Sequence, residues 1–178
     1  SFPYYKANRK KDRDESSLDW ESIFEGLREI RSDLKNYFPY KLIEVEGAEA
    51  DDVIGTICHL YGRDLPGAEP ILIMSGDKDF KQLQTYLNVE QYDPVNSKKV
   101  VENNAADYLI EHIIKGDRGD GIPNILSADN CLVLGERQGT MTKKRLANFI
   151  QSAKTGKWDD SNAERNYKRN EQLISLEC

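Results

Sequence analysis

Apolar residues recur at helical spacing early in the chain. Trp20, Ile23, Phe24, Leu27, Ile30, Leu34 and Tyr37 share one face of a predicted helix that starts near Ser17. Ser16 or Ser17 can cap its start, and Pro39 ends it. Tyr40–Val45 then reads as a strand and Gly47 as a turn. Residues 49–61 are helical by Val53, Ile54, Ile57 and Leu60. Ile71–Met74 is short, aliphatic and preceded by Pro70, the pattern of a buried strand. Asp79–Leu83 reads as a short helix and Val89–Tyr92 as a strand, with Lys98–Val101 pairing back on it across Pro94, Val95 and Asn96. Asn104 can cap a helix over Ala105–Lys115 whose apolar side is Tyr108, Leu109, Ile113 and Ile114, and Gly116 ends it.

The pattern changes after Gly116. Residues 116–139 are rich in Gly, Asp and Asn, with a short apolar piece at Cys131–Leu134. Thr142 can cap a helix through Ile150, and Ser161–Ile174 reads as a polar helix. Residues 1–16 are aromatic and then basic, with no apolar period, and read as an exposed arm. Strand–helix alternation up to Lys115 predicts an α/β fold with a parallel sheet flanked by helices. The expected division is a basic arm at 1–16, an α/β core at 17–115 and a helical, nucleic-acid-facing region at 116–178.

Composition narrows the class. The 178 residues are 38% hydrophobic and 31% charged, enough for one core under a very polar surface. No run approaches the ~18 apolar residues of a membrane span, and no signal peptide is evident. Cys58, Cys131 and Cys178 have neither disulfide nor ligand spacing and fit a reducing compartment, so a cytoplasmic protein is expected. The net charge of −6 argues against nucleic acid only until its distribution is considered. Lys6, Arg9, Lys10, Lys11 and Arg13 crowd the start, and Lys143, Lys144 and Arg145 form a second basic cluster. Both ends of the chain look cut, as in a piece of a longer protein.

Candidate chemistry lies in acidic turns beside apolar elements. Asp77 and Asp79 sit in Ser75-Gly76-Asp77-Lys78-Asp79-Phe80, directly after Ile71–Met74. The carboxyl end of such a strand is where an open α/β sheet places its site. Glu49-Ala50-Asp51-Asp52 opens a helix, and Gly116-Asp117-Arg118-Gly119-Asp120-Gly121 lies in a loop. Several carboxylates converging from separate elements could hold two hard cations roughly 4 Å apart, the geometry of two-metal phosphodiester hydrolysis. Each acid also has an ordinary reading. Asp51 suits the first turn of a helix, Asp120 suits a turn, and Lys78 suits a surface. His59 and His112 are expected at solvent or rim rather than as ligands. Tyr4, Tyr5, Lys6, Arg9, Lys10 and Lys11 combine stacking faces with phosphate partners, and otherwise form a solvated charge run.

Taken in order, these motifs resemble the flap endonuclease (5′ nuclease) superfamily, with the bacteriophage ribonuclease H branch nearest. Glu49-Ala50-Asp51-Asp52 looks like its E-A-D-D motif, and Ser75–Leu83 like its S-x-D-x-D-F-x-Q-L stretch. Lys115–Ile122 is similar to its K/R-G-D-x-x-D-x-I/V loop, and Pro3–Arg9 to the segment at the base of its helical arch. Gly135-Glu136-Arg137 with Thr142–Leu146 resembles part of the phage helix–turn–helix region, although Asn124–Thr140 stretches the connection. The resemblance implies a PIN-like nuclease core followed by a helix–turn–helix-type region. It implies Asp51 and Asp77 at a first metal, and Asp79 and Asp120 at a second. Glu49 and Asp117 would act through water or by orienting the others. Lys6 and Arg9 would act at the scissile phosphate, with Tyr5, Lys10 and Lys11 beside them. Gly116, Arg118, Gly119, Gly121, Asn124, Lys143, Lys144 and Arg145 would grip the duplex backbone.

The family's first strand and second motif each bring a further acid that would precede Ser1, so the 178 residues alone are expected to cleave poorly. The implied activity is a 5′-3′ exonuclease or flap endonuclease with ribonuclease H-like primer removal, using two Mg²⁺ ions that Mn²⁺ can replace. Its substrate would be a DNA or RNA/DNA duplex with a 5′ end or flap. Replication proteins such as a single-strand-binding protein or a clamp would be partners, and no membrane is involved. A non-catalytic nucleic-acid-binding module and a two-metal phosphatase stand as alternatives.

Overall fold

The computed structural model describes residues 2–62 and 68–176; the side chains of Lys10 and Lys11 fall outside it. Its elements are α1 (Asn8–Asp14), α2 (Trp20–Tyr37), α3 (Ala50–Tyr61), β1 (Ile71–Met74), a 3₁₀ helix (Lys78–Thr85), β2 (Val89–Asp93), β3 (Lys98–Val100), α4 (Ala105–Lys115), α5 (Lys143–Thr155) and α6 (Ser161–Ile174). The sheet has the order β1-β2-β3. β1 and β2 are parallel, with Ile71 opposite Val89, while β3 runs antiparallel to β2. The expected parallel pairing is present between β1 and β2, and the expected return of Lys98–Val101 onto β2 makes the sheet mixed. β3 returns through the tight Pro94-Val95-Asn96 turn, and so short a connection can only reverse the chain.

Three apolar clusters hold the fold together. Cys58 of α3, Ile73 of β1, Phe80 and Leu83 of the 3₁₀ helix and Val89 of β2 form the first. Ile113, Ile122 and Ile174 join α4, the following loop and α6 in the second, with Tyr5 packed against them. Ile114, Ile125 and Ala163 form the third, under Phe149 and Trp158. α6 is polar in sequence because its buried face carries amides. Asn166 donates to the carbonyls of Ile125 and Ser127, and Asn170 to those of Ile113 and Pro123. These carbonyls belong to irregular or terminal backbone that would otherwise be buried without partners.

Several expectations need correction. Tyr40–Val45 joins no strand; Tyr40, Ile43 and Val45 are exposed, since β-forming residues without a neighbouring strand have no ladder to enter. β1 is buried only at Ile73, and Leu72 and Met74 are each 58% exposed, because it is an edge strand with one covered face. Asp19, not Ser16 or Ser17, caps α2, its side chain accepting from Ser22 N. α2 follows its predicted apolar period yet buries none of its residues. The arm is not wholly irregular, since α1 occupies its second half. The short helix after β1 is 3₁₀. Residues 116–142 hold no helix among the described residues, Cys131–Leu134 forms turns, and α5 runs past Ile150 to Thr155. Among the described residues no helix is long and apolar enough to cross a membrane.

Candidate metal centre and active site

The turn after β1 is fixed from below by Gln91 of β2, which is fully buried. Its side-chain amide donates to the carbonyls of Ser75 (2.8 Å) and Asp77 (2.6 Å). Asp77 caps the 3₁₀ helix, its Oδ1 accepting from Asp79 N at 3.0 Å. The two carboxylates therefore emerge from one rigid turn. Asp51 arrives from the first turn of α3, where Glu49 is the cap residue and its backbone N–H donates to Asp52 at 2.9 Å. Asp52 is thereby spent on capping, and Asp51 is free to face the turn.

One ligand oxygen from each of Asp51, Asp77 and Asp79 lies within 4.8 Å of the others. Asp79, His112 and Asp117 form a second such group, so Asp79 is common to both. A single cleft of about 490 Å³ takes in Glu49, Asp51, Asp77, Asp79, Asp117 and Asp120 with Lys6 and Arg9. Acids from three distant segments therefore share one wall-to-wall space. Asp120 stands apart from the two tight groups. Arg9 donates to its Oδ1 at 2.5 Å, and Lys6 Nζ lies 3.8 Å from its Oδ2. Lys6 also pairs with Glu49, which Tyr5 approaches through its hydroxyl.

The arm reaches this cleft through close backbone contact. Lys6 adopts a left-handed φ of 53° and its N–H donates to Asp120 O at 2.8 Å. Gly121, at φ 75°, faces the same strip, and a Cβ there would lie 2.7 Å from Tyr4 O. Only glycine tolerates both the conformation and the approach.

Burial, with the crowding of like charges added to it, shifts the pKa values of two of the acids upward. Burial, then the Asp77 and Glu49 carboxylates, push the Asp51 pKa up. Burial also raises Asp79, to about 6, with Asp77 and Asp117 adding to it and His112 opposing. Asp117 goes the other way. The hydrogen bond from His112 and that from Lys78 (2.5 Å) hold it well below the usual carboxylate range against its burial. Its Oδ1 also accepts from Gly119 N at 2.8 Å.

Other predicted residues are placed differently. Asn124, expected at the nucleic-acid surface, is buried; its amide donates to Gly139 O and its oxygen accepts from Leu126 N and Ser127 Oγ. Gly121 to Ile125 are all buried, in contrast to the exposed Arg118 and Gly119. At Gly116, with φ 68°, a Cβ would meet the carbonyl oxygens of Ile122 and Pro123 at 2.5 Å, so this glycine permits a backbone crossing. Gly119 lines the cleft, and Arg118 is exposed. Lys143, Lys144 and Arg145 are exposed at the start of α5, outside the cleft. Lys10 and Lys11 lie on α1, their side chains outside those described.

His112 is the residue that sequence reading missed. It is 8% exposed, with Nε2 3.3 Å from Asp117 Oδ2 and Nδ1 3.7 Å from Asp79 Oδ1. A signal was present. His112 precedes Asp117 by five positions across a helix-ending glycine, whose turn folds the acid back over the last turn of α4.

A chain with this small mixed sheet, flanking helices and acidic cleft is a nuclease-type α/β domain, and the comparisons agree. Residues 1–112 match the family described as 5′-3′ exonuclease, N-terminal resolvase-like domain, and the chain belongs to that family. It is 35% identical to ribonuclease H of Enterobacteria phage T4 over 159 residues, covering 85% of this chain and 51% of that protein. It is 30% identical to a 5′-3′ exonuclease of Buchnera aphidicola, over 70% of this chain and 42% of that one. The chain thus spans about half the length of these relatives.

Among solved structures, zinc-bound phage T5 5′-exonuclease matches at a TM-score of 0.65 and 20% identity, over 98% of this chain and 68% of that one. Phage T5 flap endonuclease in a pseudo-enzyme-product complex with DNA and metal ions matches at a TM-score of 0.62, also at 20% identity, over 98% and 67%. These likenesses establish the shared fold.

Proposed function

We propose that this chain carries the metal-binding half of a 5′ nuclease, a 5′-3′ exonuclease or flap endonuclease with ribonuclease H-like primer removal. The observation that carries the reading is the meeting of six acids from three segments with Lys6 and Arg9 in one cleft. The donor set fits hard divalent cations. It consists of carboxylate oxygens, two of whose groups, Asp51 and Asp79, have pKa values raised by burial and by neighbouring acids, and Asp79 Oδ1 is buried with no partner among the described residues. Asp51, Asp77 and Asp79 would hold one Mg²⁺ and Asp79, Asp117 and Asp120 a second, with Mn²⁺ as a substitute. Bound, such ions activate a water and stabilise the leaving oxygen of a phosphodiester.

The chain's own groups would position the substrate. Lys6 and Arg9, tied to Glu49 and Asp120 at the cleft, present cationic donors where a scissile phosphate would lie. Lys143, Lys144 and Arg145 would hold duplex phosphates at a distance, acting on backbone rather than sequence. The arm, core and helical region at 1–16, 17–115 and 116–178 would then act as phosphate contact, metal holder and duplex grip. A DNA or RNA/DNA duplex with a 5′ end or flap is the substrate the reading calls for, in replication or repair.

The test is cleavage of a labelled 5′-flap duplex in Mg²⁺ by the full-length protein. We expect cleavage that a chelator abolishes and that falls at least about 100-fold in Asp77→Asn, a loss of the size of one electrostatic stabiliser. Binding without cleavage would favour a non-catalytic module. Turnover of a small phosphomonoester without flap cleavage would favour a phosphatase.

A further inference from the structure

His112 lies between two candidate ligand groups that reach the cleft from different elements. Asp79 comes from the 3₁₀ helix after β1, and Asp117 from the loop after α4. Sequence separation alone gives these carboxylates no reason to keep a fixed distance. The imidazole spans the gap between them, one nitrogen toward each. Its Nε2 is within hydrogen-bond reach of Asp117 Oδ2, at 3.3 Å. Its Nδ1 faces Asp79 Oδ1 at 3.7 Å, and neither of these buried atoms has a hydrogen-bond partner among the described residues.

Two unpaired polar atoms aimed at each other in a buried place are costly unless another state uses them. A carboxylate that binds a cation through one oxygen leaves the other for a protein donor, and that donor fixes its orientation. For Asp79, His112 stands where that donor belongs. The ring is itself held in place. The Tyr108 ring lies 5.8 Å away, centroid to centroid. Tyr108 in turn donates to Lys78 O at 3.1 Å, which ties the same tilted ring pair to the Asp77–Asp79 turn.

We infer that His112 is a positioning residue for the metal centre, setting the separation of Asp79 and Asp117 by engaging both carboxylates at once. The inference rests on the reading of the cleft as a divalent-cation site and gives His112, of the Asp79–His112–Asp117 group, a role through the two carboxylates rather than on the ion. An apolar ring at position 112 keeps the packing against Tyr108 and loses both polar ends. A Gln retains a donor at about the reach of Nε2, and an Asn one at about the reach of Nδ1.

The experiment is titration of the 178-residue chain with Mn²⁺, followed by the electron paramagnetic resonance of the free ion, with thermal melting of the metal-free proteins in parallel. His112→Phe should weaken Mn²⁺ binding by about 10-fold or more, the usual range for such a partner, while its metal-free melting stays near wild type. His112→Gln or His112→Asn should recover part of the loss. Overturning results are Mn²⁺ binding by His112→Phe at wild-type strength, or a loss that tracks a collapse in melting and that neither amide recovers. Absence of Mn²⁺ binding by the wild-type chain would overturn the reading of the cleft along with the role of His112. Wild-type binding with an unaffected His112→Phe would overturn the role alone.

Discussion

At Asp79, burial and neighbouring carboxylates oppose ionisation, and His112 opposes them in turn. Its folded pKa, about 6, lies above the ordinary value, so the folded chain holds this proton more tightly than the unfolded one. Stability from this group is therefore greatest below about pH 4 and declines as the pH rises through about 6. Replacing Asp79 by Asn removes the penalty. Above pH 6 metal-free Asp79→Asn should melt higher than wild type, and near pH 4 the two should converge. The same variant should bind Mn²⁺ at least about 10-fold more weakly, because its amide carries no charge to offset the ion. Melting curves across pH with and without Mn²⁺ check both. A variant that melts lower throughout would mean the carboxylate is structural.

Elements with a local signature were legible in the sequence. α4 carries its own start and stop, Asn104 accepting from Asp107 N and Gly116 at φ 68°, and it runs over the predicted residues. β1 follows a short apolar run, and the β2–β3 hairpin brackets the Pro94-Val95-Asn96 turn, in the same way. What failed depends on partners that no local window contains. Tyr40–Val45 has strand-forming residues but no neighbour to pair with. Asn124 looks like a surface residue until the loop backbone that its amide satisfies is considered. His112 became part of the site only because the Gly116 turn folds Asp117 back beside it.

The arm offers the clearest test at this scale. Gly121→Ala meets both a left-handed φ and a carbonyl 2.7 Å from the new Cβ. The conformational cost alone is about 1 kcal/mol, and the contact forces the Tyr4–Lys6 strip away from Asp120. Flap cleavage by the full-length protein should fall at least about 10-fold in Gly121→Ala, with Mn²⁺ binding by the chain largely retained. Equal loss of both would mean the glycine serves the carboxylates rather than the arm.

Across the whole molecule, Asp129 joins segments that the sequence keeps far apart. It pairs with Arg165 and Arg169 of α6, and Arg169 also lies 5.3 Å from the Phe2 ring at the start of the arm. Burial would raise the Asp129 pKa, but the hydrogen bonds and charges of the two arginines outweigh it and lower it. A depressed folded pKa contributes stability above the unfolded value and loses it as the pH falls through the folded one. Asp129→Asn should therefore lower the melting temperature at pH 7 and flatten its decline below about pH 4. An unchanged acid limb would mean the pairs are too solvated to matter.

The central claim is that acids from three separated segments form one divalent-cation site. The most direct measurement is a crystal structure of the chain grown with Mn²⁺, read by anomalous scattering. The account predicts a manganese peak bound by Asp51, Asp77 and Asp79, and a second on the side of Asp117 and Asp120. A well-ordered cleft without a peak, or manganese held only elsewhere on the surface, would contradict it.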